Sequence, residues 1–117
     1  MLQKTINSFL YAWNGLRTTW REEHNFRIET FVAVVVIICI FYFQFSFVES
    51  ALSLFAITLV LTAEIINTAI EDVCNKIEPK YDATIGKIKD TTGAFVLVTV
   101  LGSTIVGLIV FYHHFFI

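Results

Sequence analysis

One glutamate within an apolar stretch is the residue best placed to do chemistry. Glu64 is the only charged residue between Ser50 and Ile70, a stretch of 21 residues that is long enough to cross a bilayer. A carboxylate within a transmembrane helix is costly unless it is paired, protonated or hydrated, so by default it marks a function. Glu64 is therefore the candidate catalytic residue.

Further polar residues follow Glu64 at helical spacing. Asn67, Thr68, Glu71 and Asn75 come three, four, seven and eleven positions later, so a helix would carry all of them on one face. Along such a helix Glu71 lies about 10 Å from Glu64, towards the next polar segment. Glu71 could hold a divalent cation, because Mg²⁺ takes oxygen ligands and is usually shared with phosphates. Glu64 could accept a proton from a hydroxyl group at the membrane interface.

These groups together predict phosphoryl transfer to a lipid alcohol. Such a reaction needs positioning and charge stabilisation, and the four lysines at positions 76, 80, 87 and 89 could neutralise phosphate charge. No Gly-rich phosphate-binding loop is present, which excludes the known soluble nucleotide-binding folds. Three other interpretations stay open: a polar seam between helices, a small transport subunit in which Glu64 relays protons, and a non-catalytic assembly factor.

Three apolar segments must position these residues. Hydrophobic types make up 56% of the 117 residues, charged types make up 15%, and the mean hydropathy is +0.73. This composition excludes a disordered chain and an ordinary soluble enzyme, and a net charge of −2 gives no reason to expect nucleic acid as a partner. We predict one all-α membrane domain over residues 1–117, with transmembrane helices at 30–48, 50–70 and 94–112 and a loop at 72–93.

The N-terminal segment has a different pattern. At 100° per residue its large apolar side chains fall within one arc, which predicts an amphipathic helix over residues 2–22 that lies in the membrane interface. These apolar residues are Leu2, Ile6, Phe9, Leu10, Trp13, Leu16 and Trp20.

The basic residues indicate the orientation in the membrane. All eight lysines and arginines precede the first span or lie between the second and the third. The positive-inside rule therefore places the N-terminus and the 72–93 segment in the cytoplasm, with the C-terminus outside. His113 and His114 are interpreted as interfacial residues at the outer end.

A family resemblance rests on the octet EIINTAIE at residues 64–71. It resembles the signature of the prokaryotic diacylglycerol kinase family, which includes the undecaprenol kinases of Gram-positive bacteria. The runs YAWNGLR at 11–17, EHNFR at 23–27 and KD at 89–90 carry the resemblance over nearly the whole chain. It implies a lipid kinase of the bacterial cytoplasmic (inner) membrane that is a homotrimer and uses ATP with Mg²⁺.

The resemblance also implies roles for individual residues. Glu64 would be the catalytic base, and Glu23 and Glu71 would bind the metal. The implied nucleotide-binding residues are Lys4, Tyr11, Glu23, Glu71, Lys80, Tyr81, Lys89 and Asp90. The implied lipid-binding residues are Trp13, Arg17, Asn25, Arg27, Glu29, Glu64 and Asn67.

The sequence departs from the family pattern at a few positions. Asp82 stands where several members have histidine, and Gly93 stands where one branch has serine. Residues 25–27 resemble the undecaprenol-using branch, whereas Glu29 matches the diacylglycerol-using one. We expect diacylglycerol, the default substrate of the family, as the acceptor, with undecaprenol as the alternative.

Overall fold

The computed structural model describes residues 1–117 and contains four helices and no strand. Helix α1 comprises Leu2–Glu22, α2 His24–Tyr42, α3 Phe47–Ile77 and α4 Ala83–Phe116. Helices α2, α3 and α4 are each long and apolar enough to cross a membrane. The all-α prediction with three candidate spans and an N-terminal helix is therefore confirmed.

The first turn between spans lies earlier than the sequence predicts. Helix α2 begins at His24 instead of residue 30 and ends at Tyr42 instead of 48. A capping box starts α3: the amide of Glu49 donates to Ser46 Oγ at 3.2 Å, and the amide of Ser46 donates to Glu49 Oε1 at 2.8 Å. Gln44 supplies the positive φ of 54° that the turn requires. The hydropathy pattern does not reveal this turn, because the aromatic residues on both sides of it continue the apolar stretch.

The predicted loop at 72–93 is mostly helical. Helix α3 continues to Ile77 and α4 begins at Ala83, so only residues 78–82 connect them. Asp82 caps α4, because its Oδ2 accepts a hydrogen bond from the Ile85 amide at 3.0 Å. Both helices therefore extend beyond the apolar spans and hold polar side chains on rigid backbone.

Helix α3 is the centre of the packing. Helix α4 lies along it, α2 packs on another side, and α1 contacts both α2 and α3. Helices α2 and α4 do not pack against each other, and a cavity of about 550 Å³ lies between them. The Ser103 hydroxyl donates to the Ala56 carbonyl at 3.1 Å and links α4 to α3 in mid-span.

Candidate functional site

Glu64 lies on the buried face of α3 and is 2% exposed. Its backbone carbonyl accepts a hydrogen bond from Thr68 Oγ1 at 2.9 Å, but no protein group donates to its carboxylate. Asn67 and Thr68 are buried beside it, as the helical spacing predicts. The carboxylate is therefore held in place by packing and remains free to accept a proton.

Four glutamates form one electrostatic group around this position. The charge of Glu64 acts on Glu29 of α2, and the charges of Glu23 and Glu71 act on Glu64. No lysine or arginine nitrogen lies within 4.0 Å of any carboxylate oxygen in the chain. The acid group, defined as Glu23, Glu29, Glu64 and Glu71, is thus uncompensated by basic side chains.

Glu23 shows the effect of this crowding. It lies at the junction of α1 and α2, where burial and, after it, the charges of Glu71, Asp72 and Glu22 raise its pKa above 4.5. Repulsion between neighbouring carboxylates disfavours the charged form of each of them. A cation bound between Glu23 and Glu71 would relieve that repulsion.

The donor set near Glu23 fits a magnesium ion that arrives with phosphates. Asn67 Nδ2 donates to Glu71 Oε1 at 3.3 Å, which orients that carboxylate, whereas the buried Asn67 Oδ1 has no partner. No three histidine, cysteine, aspartate or glutamate side chains converge closely enough to hold a metal alone. Mg²⁺ prefers oxygen ligands and usually shares one or two carboxylates with substrate phosphates, so Glu23 and Glu71 suit it.

The residues implied in nucleotide binding are only partly brought together. Lys89 Nζ donates to Asn75 Oδ1, which joins α4 to the polar face of α3. Tyr81 is 93% exposed in the 78–82 connection. Several others are exposed and make no side-chain bond to the acid group, and a single chain does not enclose them. These residues are Lys4, Tyr11, Lys80 and Asp90.

Five of the seven residues implied in lipid binding line one of two cavities, whereas Glu64 and Asn67 line neither of them. Trp13, Arg17 and Arg27 line a groove of about 710 Å³ between α1 and the helices beneath it. Arg27 also has a structural role, because its Nη1 donates to the carbonyls of Trp20 and Arg21 at 3.0 Å and satisfies the end of α1.

The second cavity lies between α2 and α4. Asn25 and Glu29 line it, and the Oε2 of Glu29 is buried without a hydrogen-bond partner. Glu29 is the one member of the acid group that lines this cavity.

A second polar cluster lies at the opposite end of α3. His113 Nδ1 lies 2.9 Å from Glu49 Oε2, and His114 Nδ1 lies 3.0 Å from Glu49 Oε1. The sequence interpretation treated both histidines as interfacial and did not connect them with Glu49. The Ser-x-x-Glu spacing at 46–49, a capping-box signature, is the sequence signal that marks this acid as structural.

Comparisons with known proteins agree with the geometry. A family model described as prokaryotic diacylglycerol kinase matches residues 10–111. The diacylglycerol kinase of Escherichia coli strain K12 is 30% identical over 112 residues, which cover 96% of this chain and 92% of that protein. The undecaprenol kinase of Bacillus subtilis is 32% identical over 110 residues, covering 94% and 89%. The diacylglycerol kinase of Haemophilus influenzae is 31% identical over 108 residues, covering 92% and 89%.

Proposed function

The chain belongs to the prokaryotic diacylglycerol kinase family, and we propose that it transfers the γ-phosphate of ATP to diacylglycerol, giving phosphatidic acid. The family and the three apolar helices make it a membrane kinase of the bacterial inner membrane. The observation that carries the proposal is the buried carboxylate of Glu64, which accepts no hydrogen bond from the protein.

Glu64 acts as the general base. Its carboxylate takes the proton from the acceptor hydroxyl, and the hydroxyl oxygen forms a bond to the γ-phosphorus. The bond from that phosphorus to the β–γ bridging oxygen breaks, and ADP leaves. Glu64 is 2% exposed, so we expect its proton donor to be an alcohol that partitions into the membrane.

Two other members of the acid group would bind the ion that accompanies the phosphates. Glu23 and Glu71 would hold Mg²⁺, and the bound ion would neutralise phosphate charge. Asn67 orients Glu71 through the hydrogen bond described above. The remaining nucleotide contacts are assigned to six polar residues, of which all but Lys89 are exposed. They are Lys4, Tyr11, Lys80, Tyr81, Lys89 and Asp90.

The lipid enters sideways from the bilayer. The cavity between α2 and α4 supports this route, since it is lined mainly by apolar side chains and by the carboxylate of Glu29. Asn25 and Glu29 would contact the acceptor near its hydroxyl, and Trp13, Arg17 and Arg27 would contact it from the groove under α1. An apolar tail then anchors the hydroxyl at the depth of Glu64.

The complete site needs more than one chain. One subunit leaves the nucleotide residues at its surface and leaves α2 and α4 apart, so we propose a homotrimer in which neighbouring subunits enclose the site. The end of the bundle that carries Glu71 faces the cytoplasm, where ATP is available, and the C-terminus lies outside.

Undecaprenol is the second candidate acceptor. The undecaprenol kinase of Bacillus subtilis is 32% identical to the chain, a value close to the 30% of the Escherichia coli diacylglycerol kinase. The test is competition between equal mole fractions of the two alcohols in mixed micelles, with γ-labelled ATP and Glu64→Gln as the inactive control. Excess labelled phosphatidic acid supports diacylglycerol, and excess undecaprenyl phosphate overturns that choice while keeping the kinase. Absence of any labelled lipid overturns the kinase itself.

A further inference from the structure

Three arginines line the groove between α1 and the helices beneath it. Arg17 and Arg21 belong to α1, Arg27 belongs to α2, and Trp13 and Trp20 line the groove beside them. No carboxylate oxygen lies within 4.0 Å of an arginine nitrogen. Because an arginine side chain keeps its charge in a protein, the groove is a site of uncompensated positive charge.

The two arginines of α1 lie on the apolar side of that helix. At 100° per residue, Arg17 falls within the arc of apolar side chains and Arg21 falls at its edge. They are four positions apart, so their side chains are neighbours on the helix surface. A helix that only lies on a membrane carries its cations on the opposite, polar face, as α1 does with Lys4. The position of the two arginines therefore indicates a role beyond anchoring α1.

Arg27 is held in place while most of its donors remain available. Its Nη1 donates to the carbonyls of Trp20 and Arg21 at 3.0 Å. A guanidinium group has five N–H donors, so these two bonds leave three of them for a ligand. Of the three arginine side chains, only that of Arg27 donates within the chain.

The charge of the groove does not match a neutral acceptor alcohol. Phosphorylation converts that alcohol into a phosphate monoester, which carries a charge of about −1.5 to −2 at pH 7. The planar guanidinium group forms two parallel hydrogen bonds with phosphate oxygens, and tryptophans are typical of the headgroup region of a membrane. A phosphorylated lipid thus fits the groove better than the alcohol does.

We propose that the arginine groove, defined as Arg17, Arg21 and Arg27 with Trp13 and Trp20, binds the phosphate group of the phosphorylated lipid after transfer. This inference rests on the proposed lipid kinase activity. It gives a ligand-binding role to Arg21, which none of the acceptor or nucleotide contacts proposed above includes.

The groove lies next to the acid group, which has the opposite charge. Leu61 lines the groove and precedes Glu64 by three positions, so the two residues are neighbours on α3. The carboxylates of Glu23, Glu64 and Glu71 repel a phosphate dianion once Mg²⁺ has left with ADP, whereas the arginines attract it. The product phosphate therefore moves from the acid group to the groove, and its acyl chains remain in the bilayer.

Retention of the product has a kinetic consequence. Trp13, Arg17 and Arg27 are also the proposed contacts of the acceptor from this groove. A bound phosphate monoester excludes the next acceptor from those contacts, so the product competes with the substrate.

The two tryptophans allow a direct test, because they are the only ones in the chain and both line the groove. Quenching of tryptophan fluorescence is measured in detergent micelles without ATP, with three lipids that carry the same brominated acyl chains. The lipids are phosphatidic acid, diacylglycerol and phosphatidylglycerol, a singly charged phosphodiester. The wild type is compared with Arg21→Gln and Arg21→Lys, and Lys76→Gln is the control for a cation outside the groove.

We expect phosphatidic acid to reach half-maximal quenching of the wild type at a lower mole fraction than the other two lipids. Arg21→Gln should raise that fraction roughly tenfold, as expected for loss of one hydrogen bond between charged groups. Arg21→Lys should have a smaller effect, because it keeps the charge and loses the planar fork. Lys76→Gln should follow the wild type.

Equal mole fractions for phosphatidic acid and diacylglycerol overturn the proposal, and so does an unchanged value in Arg21→Gln. Equal values for phosphatidic acid and phosphatidylglycerol also overturn it, because the groove would then bind membrane phospholipids in general. If Arg21→Gln does not fold, Arg17→Gln decides by the same criterion. Non-selective quenching with normal lipid phosphorylation overturns the groove alone, whereas selective quenching without any phosphorylation overturns the proposed function.

Discussion

Two glutamates on the same helix show opposite environments at similar burial. Glu49 is 6% exposed and accepts hydrogen bonds from His113, His114 and the Ser46 amide. Glu64, fifteen residues later and 2% exposed, accepts none. Burial alone therefore does not distinguish these two acids, whereas the number of hydrogen bonds that each carboxylate accepts does.

The difference is consistent with the roles proposed for the two acids. A carboxylate that holds helices together is most stable when its lone pairs are occupied, and an unsatisfied one costs stability. A general base must instead keep a lone pair free for the substrate proton. Such unsatisfied polar groups in natural proteins tend to mark functional sites.

The largest expected effect separates the two acids by activity. Glu64→Gln should lower the rate of lipid phosphorylation by about 10²–10⁴-fold, because it removes the proton acceptor and keeps the side-chain shape. Glu49→Gln should keep most of the activity at temperatures where it remains folded. Initial rates with γ-labelled ATP in mixed micelles check both. Equal losses in the two variants would remove the distinction between them.

The second expected effect is on stability, where Glu49→Gln should be the more damaging of the two substitutions. Glu49→Gln should lower the free energy of unfolding by about 1–3 kcal/mol, because the amide NH₂ faces a hydrogen-bond donor and the charge is lost. Glu64→Gln should leave stability unchanged or raise it, since it removes like-charge repulsion from the acid group. Thermal unfolding at pH 7 is the measurement, and a severe loss of stability in Glu64→Gln would show that this acid is structural.

The third effect concerns the metal. Glu23→Gln and Glu71→Gln should each raise the Mg²⁺ concentration for half-maximal rate several-fold, because each removes one oxygen ligand from the shared ion. The double variant should be little worse than the more severe single one, since both changes act on one site. Rates over a Mg²⁺ titration test this, and fully additive losses would argue against a shared metal.

The smallest expected effect is a pH dependence from Glu23. Its raised pKa means that the folded protein favours the protonated carboxyl, so its contribution to stability is present below pH 4.5 and is lost as the pH rises through the raised value. Without Mg²⁺, unfolding midpoints should fall over that range in the wild type and fall less in Glu23→Gln. Saturating Mg²⁺ should reduce the difference, because the cation offsets the repulsion.

The sequence predicted the helical class and the polar face of α3 because both depend on local periodicity. Glu64, Asn67 and Thr68 lie together on the buried face, as their spacing requires. The ends of α2 were wrong by six residues because hydropathy reports membrane affinity and does not register a cap such as the one at Ser46. The contact between Glu49 and His113 joins residues 64 positions apart, and no local pattern predicts that pairing.

The length of α3 would allow a membrane lipid and the water-soluble ATP to meet along one helix. Its 31 residues extend about 46 Å, whereas the hydrocarbon core of a bilayer is about 30 Å thick. Counted from Phe47, Glu64 lies about 25 Å along the helix and Glu71 about 36 Å, so a hydrocarbon core of about 30 Å that begins at Phe47 would end between them. On that placement the proposed proton acceptor would lie at the depth of the lipid, and the proposed metal-binding acid would lie in the aqueous phase. A thicker or thinner bilayer would move the edge of the hydrocarbon core along α3, so we expect the reaction rate to depend on membrane thickness.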